Sequence, residues 1–148
     1  MSYLNHLGDR LLVIYDGHCV LCNRSVRWLL RRDSHDRLRF APSSAPAVAS
    51  LLTRIGFSVN NAAPGPGTIL VVRYPDTPSE QVLCRSDAVI ALLAELPRPW
   101  AKVAVLLRFV PRPLRDPAYR LVARWRYRIW GRLESCPVPS ASERQKFL

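Results

Sequence analysis

A mixed α/β domain is what this sequence predicts, on three observations. Two short apolar runs, "LLVIY" (Leu11–Tyr15) and "TILVVRY" (residues 68–74), read as strands, and a polar turn, "PDTPSE", joins the second to another strand, "QVLCR". Between and after the strands, the apolar residues recur at helical spacing. The chain has 148 residues, 49% of them hydrophobic, enough for one domain with a core that needs no covalent staples.

The elements follow in order. Leu11–Tyr15 is a buried strand closed by the turn signal Asp16-Gly17. From about Val20 to Asp33, Cys22, Val26, Leu29 and Leu30 fall on one helical face while Arg24, Arg27 and Arg31 point elsewhere. "RLRFA" (residues 37–41) alternates as a short strand, and "APAVASLLTRIGF" is a second helix with Pro46 in its first turn and an end near Gly56. "SVNNAAPGPG" is loop by composition, and the two remaining strands form an antiparallel hairpin. Ser86 is placed to cap the helix "DAVIALLAEL", with Asp87 against its positive end, and Pro97 and Pro99 stop it. The order β-α-β-α-β-β-α is the thioredoxin-like arrangement of a mixed sheet flanked by helices.

Beyond Pro99 two more helical segments form a C-terminal helical extension, "WAKVAVLLRFV" and "DPAYRLVARWRYRIWG". In the second, Asp116 reads as N-cap, Pro117 as first helical residue and Gly131 as the stop. Ala118, Leu121, Val122, Trp125 and Ile129 make one apolar stripe, and Arg120, Arg124 and Arg128 line another face. The domain organisation expected is a core over residues 10–97, a basic extension over 98–135 packed on it, and a frayed tail over 136–148.

Charge and targeting narrow the function classes. The net charge is +11; residues 1–97 carry ten arginines against eight carboxylates, while residues 98–148 carry twelve basic residues against three acidic ones. An acidic partner is therefore expected at the C-terminal third. No apolar run reaches the ~20 residues of a membrane-spanning helix, since "AVIALLA" and "VAVLL" are cut by Glu95 and Arg108. The start "MSYLNHLGDR" lacks the features of a secretory signal, so a cytoplasmic, reducing location is expected. There, a close cysteine pair reads as a redox or metal site rather than a structural bridge.

The pair is Cys19 and Cys22 in "DGHCVLC". At the head of a helix, free backbone N–H groups and the macrodipole stabilise an anion. Cys19 is thus expected to be the accessible, acidified thiolate that attacks a disulfide. Cys22, one turn on and facing inward, is expected to be the shielded thiol that resolves the mixed disulfide. Gly17 belongs to the turn that presents Cys19. His18, if protonated, lowers the pKa of its neighbour; the alternative is an exposed loop histidine. Asp16 either accepts the proton of Cys22 or shapes the turn, and Asp-Gly favours the turn. A metal site needs two further ligands from Cys84, Cys136, His6, His18 and His35, and no second paired motif supplies them.

The blocks "YDGHCVLCNRSVRWLLRRD", "RSDAVIALLAEL" and "PRPLRDPAYRLVARWRYRIWGRLESCPVP" resemble, in order, the DCC family of predicted thiol-disulfide oxidoreductases. The Asp-Cys-Cys pattern of that family falls on Asp16, Cys19 and Cys22. The resemblance implies a thioredoxin-like fold and dithiol-disulfide exchange, with no bound cofactor and no known substrate. Two departures from thioredoxins stand out: Val20-Leu21 between the cysteines in place of Gly-Pro, and Pro66 as the candidate for their cis-proline, one residue further from the apolar run than expected.

Other residues divide between structure and function. The strand "QVLCR" is expected to run parallel to "LLVIY", delivering Ser86 and Asp87 to the rim that carries Cys19. Capping accounts for both; the alternative is that Asp87 shapes substrate binding or the thiolate's pKa. Cys84 reads as a small buried strand residue, and Cys136 as either a third redox thiol or an incidental cysteine. The arginine-rich end, with Trp100, Trp125, Tyr127 and Trp130, reads first as aromatics packed on the core with solvated arginines, then as an anionic-membrane surface, and last as a nucleic-acid site. The function expected is a protein-disulfide reductase type of oxidoreductase, acting on a disulfide-containing protein or a small thiol compound and recharged by an external thiol reductant. Its rivals are a basic nucleic-acid or membrane-surface binding module with structural cysteines, and a metal-binding domain.

Overall fold

The structure, a computed structural model, describes residues 4–56, 69–135 and 137–148. Four strands form one mixed sheet: β1 (Leu11–Tyr15), β2 (Leu38–Pro42), β3 (Leu70–Arg73) and β4 (Gln81–Cys84), in the spatial order β2-β1-β3-β4. β1 pairs parallel with β2 and antiparallel with β3, which pairs antiparallel with β4. β4 therefore runs parallel to β1, as the element order predicts.

Alternation along β1 divides the core. Leu11, Val13 and Tyr15 point to the face covered by α1 (Val20–Arg32) and α3 (Arg85–Glu95), while Leu12 and Ile14 point to the face covered by α2 (Pro46–Arg54). All five residues of β1 are buried because both faces carry helices. On α1 the predicted stripe turns inward, with Val26 and Leu29 buried and Cys22 and Leu30 packed against them. The arrangement is thioredoxin-like, and it brings the ends of β1 and β4 to one rim.

α4 (Trp100–Arg108) and α5 (Arg112–Trp130) lie against α3, and α5 also reaches α1. Trp100 of α4 meets Trp28 of α1 edge-to-face, 4.7 Å between centroids. Three expectations need correction here. First, α5 begins at Arg112, with Pro113 in its first turn, so Asp116 and Pro117 lie inside the helix. Asp116 is no cap, because its carboxylate accepts the hydroxyl of Ser86. Second, the apolar stripe of α5 faces solvent: Leu121 is 60% exposed and Ile129 64%, with Val122 and Trp125 also exposed. The inward face instead carries Arg115, Tyr119 and Arg126, each of which makes a hydrogen bond to the core. Third, the tail does not fray. Phe147 packs against Phe40, the N–H of Leu148 donates to the Phe40 carbonyl (2.9 Å), and Lys146 reaches Asp33 (2.8 Å). These contacts cover the open edge of β2.

Candidate active site

The site grows from the turn after β1. Asp16 Oδ1 accepts the N–H of His18 at 3.0 Å, an Asx turn that closes the loop over the buried Gly17. The carbonyls of Gly17 and Cys19 both accept from the side-chain amide of Asn23, at 2.8 and 2.9 Å, so one residue of the first helical turn pins the loop.

Cys19 is the N-cap of α1, with φ −85° and ψ 122°. Its sulfur accepts the backbone N–H of Cys22 at 3.3 Å, one of the donors that a helix start leaves unpaired. Cys19 is lowered to about 6, chiefly by the hydrogen bond from the Cys22 thiol, with help from the Cys22 amide and the Arg126 charge; burial opposes the shift. Cys22 moves the other way. Its hydrogen bond to Cys19, then burial, push its pKa well above that of an ordinary thiol. The two thiols are thus pulled apart into one ready anion and one held proton.

Sequence reasoning placed Cys19 at the surface, and the structure corrects this: Cys19 is fully buried, at 0% exposure. The cover is the segment that leaves α5. Gly131, at φ 89°, takes a conformation open to glycine and ends the helix. Arg132 then pairs with Cys19 as an isolated antiparallel bridge, and the N–H of Leu133 donates to the His18 carbonyl at 2.7 Å. The His18 ring bonds the Leu133 carbonyl through Nδ1 at 3.1 Å, so this histidine fastens the cover instead of lying free in a loop. The turn alone leaves Cys19 exposed; a pairing partner 113 residues away has no local signal.

Behind the pair stands a second set of groups that sequence reasoning missed. Arg126 of α5 is 1% exposed, and its Nη2 donates to Asp16 Oδ2 (3.2 Å) and to the Tyr127 hydroxyl (2.9 Å). Tyr127 in turn donates to the same carboxylate oxygen, and its pKa is raised by burial and by that bond. Both oxygens of Asp16 are therefore engaged, one in the turn and one as a latch onto α5. The spacing of Arg115, Tyr119 and Arg126, at i, i+4 and i+11, was the available signal, since it marks one helical face.

Ser86 and Asp87 find their partners on α5. Ser86 sits one residue inside α3, whose N-cap is Cys84, and its hydroxyl serves Asp116 rather than capping. Asp87 lies in the first turn of α3, as expected, and pairs with Arg112 (2.8 Å) and Arg115 (3.3 Å), tying α3 to α5. Cys84 is half-buried at the end of β4. Cys136 and Pro66 fall outside the described residues; a cis peptide bond does occur between Arg98 and Pro99. Among the described residues, no three His, Cys, Asp or Glu side chains converge as a metal-ligand set.

Comparison with known proteins meets this geometry. The chain is 29% identical over 137 residues to the uncharacterized protein YuxK of Bacillus subtilis (strain 168), covering 93% of each. It is 28% identical over 129 residues to a chloroplastic DCC family protein of Arabidopsis thaliana, covering 87% of this chain and 70% of that one. No solved structure matches it. Residues 13–132 match the model of the DCC1-like thiol-disulfide oxidoreductases, a span that holds the turn, both thiols, the α5 latch and Arg132 of the cover. The chain belongs to the DCC1-like thiol-disulfide oxidoreductase family.

Proposed function

We propose that this protein is a dithiol–disulfide oxidoreductase of the protein-disulfide reductase type. The observation that carries the reading is the convergence of the Cys22 thiol and amide on Cys19 Sγ at the start of α1, which splits one acidified sulfur from one protonated sulfur. The Cys19 thiolate attacks a substrate disulfide R–S–S–R′, forming Cys19–S–S–R and releasing R′–S⁻. Cys22 gives up its proton and attacks the Cys19 sulfur, so that Cys19–S–S–Cys22 forms and R–S⁻ leaves. Two electrons have passed from the pair to the substrate, and an external thiol reductant restores the dithiol. Because Cys19 is covered, exchange requires residues 131–133 to lift away from residues 18–19.

The test is reduction of insulin disulfides with dithiothreitol as the external thiol reductant. Cys19→Ser abolishes turnover, and Cys22→Ser traps the mixed disulfide. Full turnover with Cys19→Ser sinks the reading.

A second property is favoured by the exposed apolar stripe. Phe109 is 80% exposed, and Leu106, Leu114, Leu121 and Ile129 all exceed half, beside Arg120, Arg124 and Arg128. Among the described residues no helix is long and apolar enough to cross a membrane. This surface suits an anionic membrane, where side chains of this kind enter the interface and the arginines meet the headgroups. A second copy of the chain fits less well, because like charges flank the stripe. Sedimentation with phosphatidylglycerol-containing vesicles, lost in Leu121→Asp/Ile129→Asp and weakened by salt, supports it. Equal sedimentation with neutral vesicles, or self-association through the stripe in ultracentrifugation, overturns it.

A further inference from the structure

Between α1, α3 and α5 lies a cleft of about 680 Å³, within the size range of small-molecule sites. Leu21, Trp28, Leu92, Leu93 and Val122 supply much of its wall, and Cys22 opens into it. Its charged lining is Arg24 and Arg126, with no acidic residue among the described ones. Arg126 is the unusual member. It is buried, yet among the described residues its Nε and Nη1 donors have no hydrogen-bond partner, while Nη2 serves Asp16 and Tyr127. Buried donors left unpaired are rare in folded proteins and call for an acceptor. No side chain of the cleft supplies one to them.

We infer that this cleft binds an amphipathic anion, an aliphatic or aromatic body with one acidic group, its body against Trp28 and Cys22 and its charge directed to Arg126. The Asp16 carboxylate, 3.2 Å from Nη2, occupies one side of the guanidinium, and its other two nitrogens lie buried and unpaired at the cleft wall. An apolar wall with two arginines favours an anion over neutral and cationic molecules of the same shape, because a charged acceptor makes the stronger hydrogen bond to the orphaned donors. Binding stands on the cleft alone. That such a molecule, when it carries a disulfide, is a substrate rests on the thiol–disulfide reading above, since the cleft sets it beside Cys22.

The experiment is calorimetric titration of the whole reduced chain with decanoate, decanol and decyltrimethylammonium. The expected result is one decanoate per chain, bound at least tenfold more tightly than either of the others. Ala118→Trp places a large side chain at the cleft from an exposed helical position and lowers decanoate affinity at least tenfold. Leu121→Ser/Ile129→Ser, on the outer stripe, leaves it unchanged. Arg126→Met removes the preference for decanoate over decanol. Equal binding of the three ligands, indifference to Ala118→Trp, or loss in the stripe variant overturns the proposal. Titration of Cys19→Ser separates the two readings: decanoate binding persists there, and a chain that binds decanoate but reduces no disulfide refutes the redox reading only.

Discussion

The N–H of Leu133 donates to the carbonyl of His18 at 2.7 Å, joining the exit of α5 to the residue before the buried sulfur. The His18 ring returns a bond to the Leu133 carbonyl, so the two residues hold each other twice. A nucleophile under such a cover reacts at a rate set by opening as well as by its charge. Leu133→Pro removes the donor and is expected to speed alkylation of Cys19 by iodoacetamide several-fold at pH 8, where the thiolate already predominates. An unchanged rate shows that opening occurs elsewhere.

How much of this was legible in the sequence depends on the range of each interaction. β1 and α1 follow from a local apolar run, a turn signal and a helical period, and "DGHCVLC" put Cys19 at a helix start without help from the rest of the chain. The cover over Cys19 comes from residues 113 and more positions away, and no period or spacing in "RIWGRLES" marks a strand partner. α5 misled for a different reason. Its apolar stripe was read as the buried face because burial usually follows hydrophobicity, yet Arg115, Tyr119 and Arg126 satisfy partners on the core and the stripe is left outside. Lys146, Phe147 and Leu148 were read as tail because three terminal residues have no period from which a docking site can be inferred.

That inversion of α5 is measurable. Leu121→Ala removes an exposed side chain and is expected to change unfolding free energy by less than about 0.5 kcal/mol. Leu29→Ala, at a buried position of α1, is expected to cost about 2–5 kcal/mol through lost burial and the cavity left behind. Urea titrations of the two variants decide it; a large cost at Leu121 returns the stripe to the core.

The split between the two thiols predicts how the reduced protein responds to pH. Cys19 is lowered to about 6 from an unfolded value of about 8.5. Its contribution to stability is fully present above the unfolded value and is lost as pH falls through about 6. Cys22 is raised, so above about 8.5 it opposes folding, because the unfolded chain then releases a proton that the folded state keeps. The reduced protein, measured against Cys19→Ser, should gain stability from pH 6 to about 8.5. Removing the thiol of Cys22 in Cys22→Ala takes away the largest cause, and the absorbance of the Cys19 thiolate near 240 nm should then titrate well above 6. A flat profile, or an unmoved titration, contradicts the hydrogen bond between the sulfurs.

The pair formed by Arg126 and Asp16 predicts an asymmetry. The Arg126 side chain is 2% exposed and that of Asp16 is 19%, so the two partners are not equally able to stand alone. Asp16→Ala leaves a guanidinium buried with Nη2 bonded to the Tyr127 hydroxyl alone and Nε and Nη1 still unpartnered among the described residues, and also deletes the Asx turn at His18. Arg126→Met leaves a carboxylate that still accepts from Tyr127 and His18 and still reaches water. Stranding a buried charge costs about 3–5 kcal/mol, whereas replacing it by an apolar side chain of similar length is often mild. Asp16→Ala should therefore destabilise the fold more than Arg126→Met, and the double variant should recover part of the loss. Thermal unfolding of the three variants checks this; equal effects from the two single changes would mean that the arginine is not held as a buried charge.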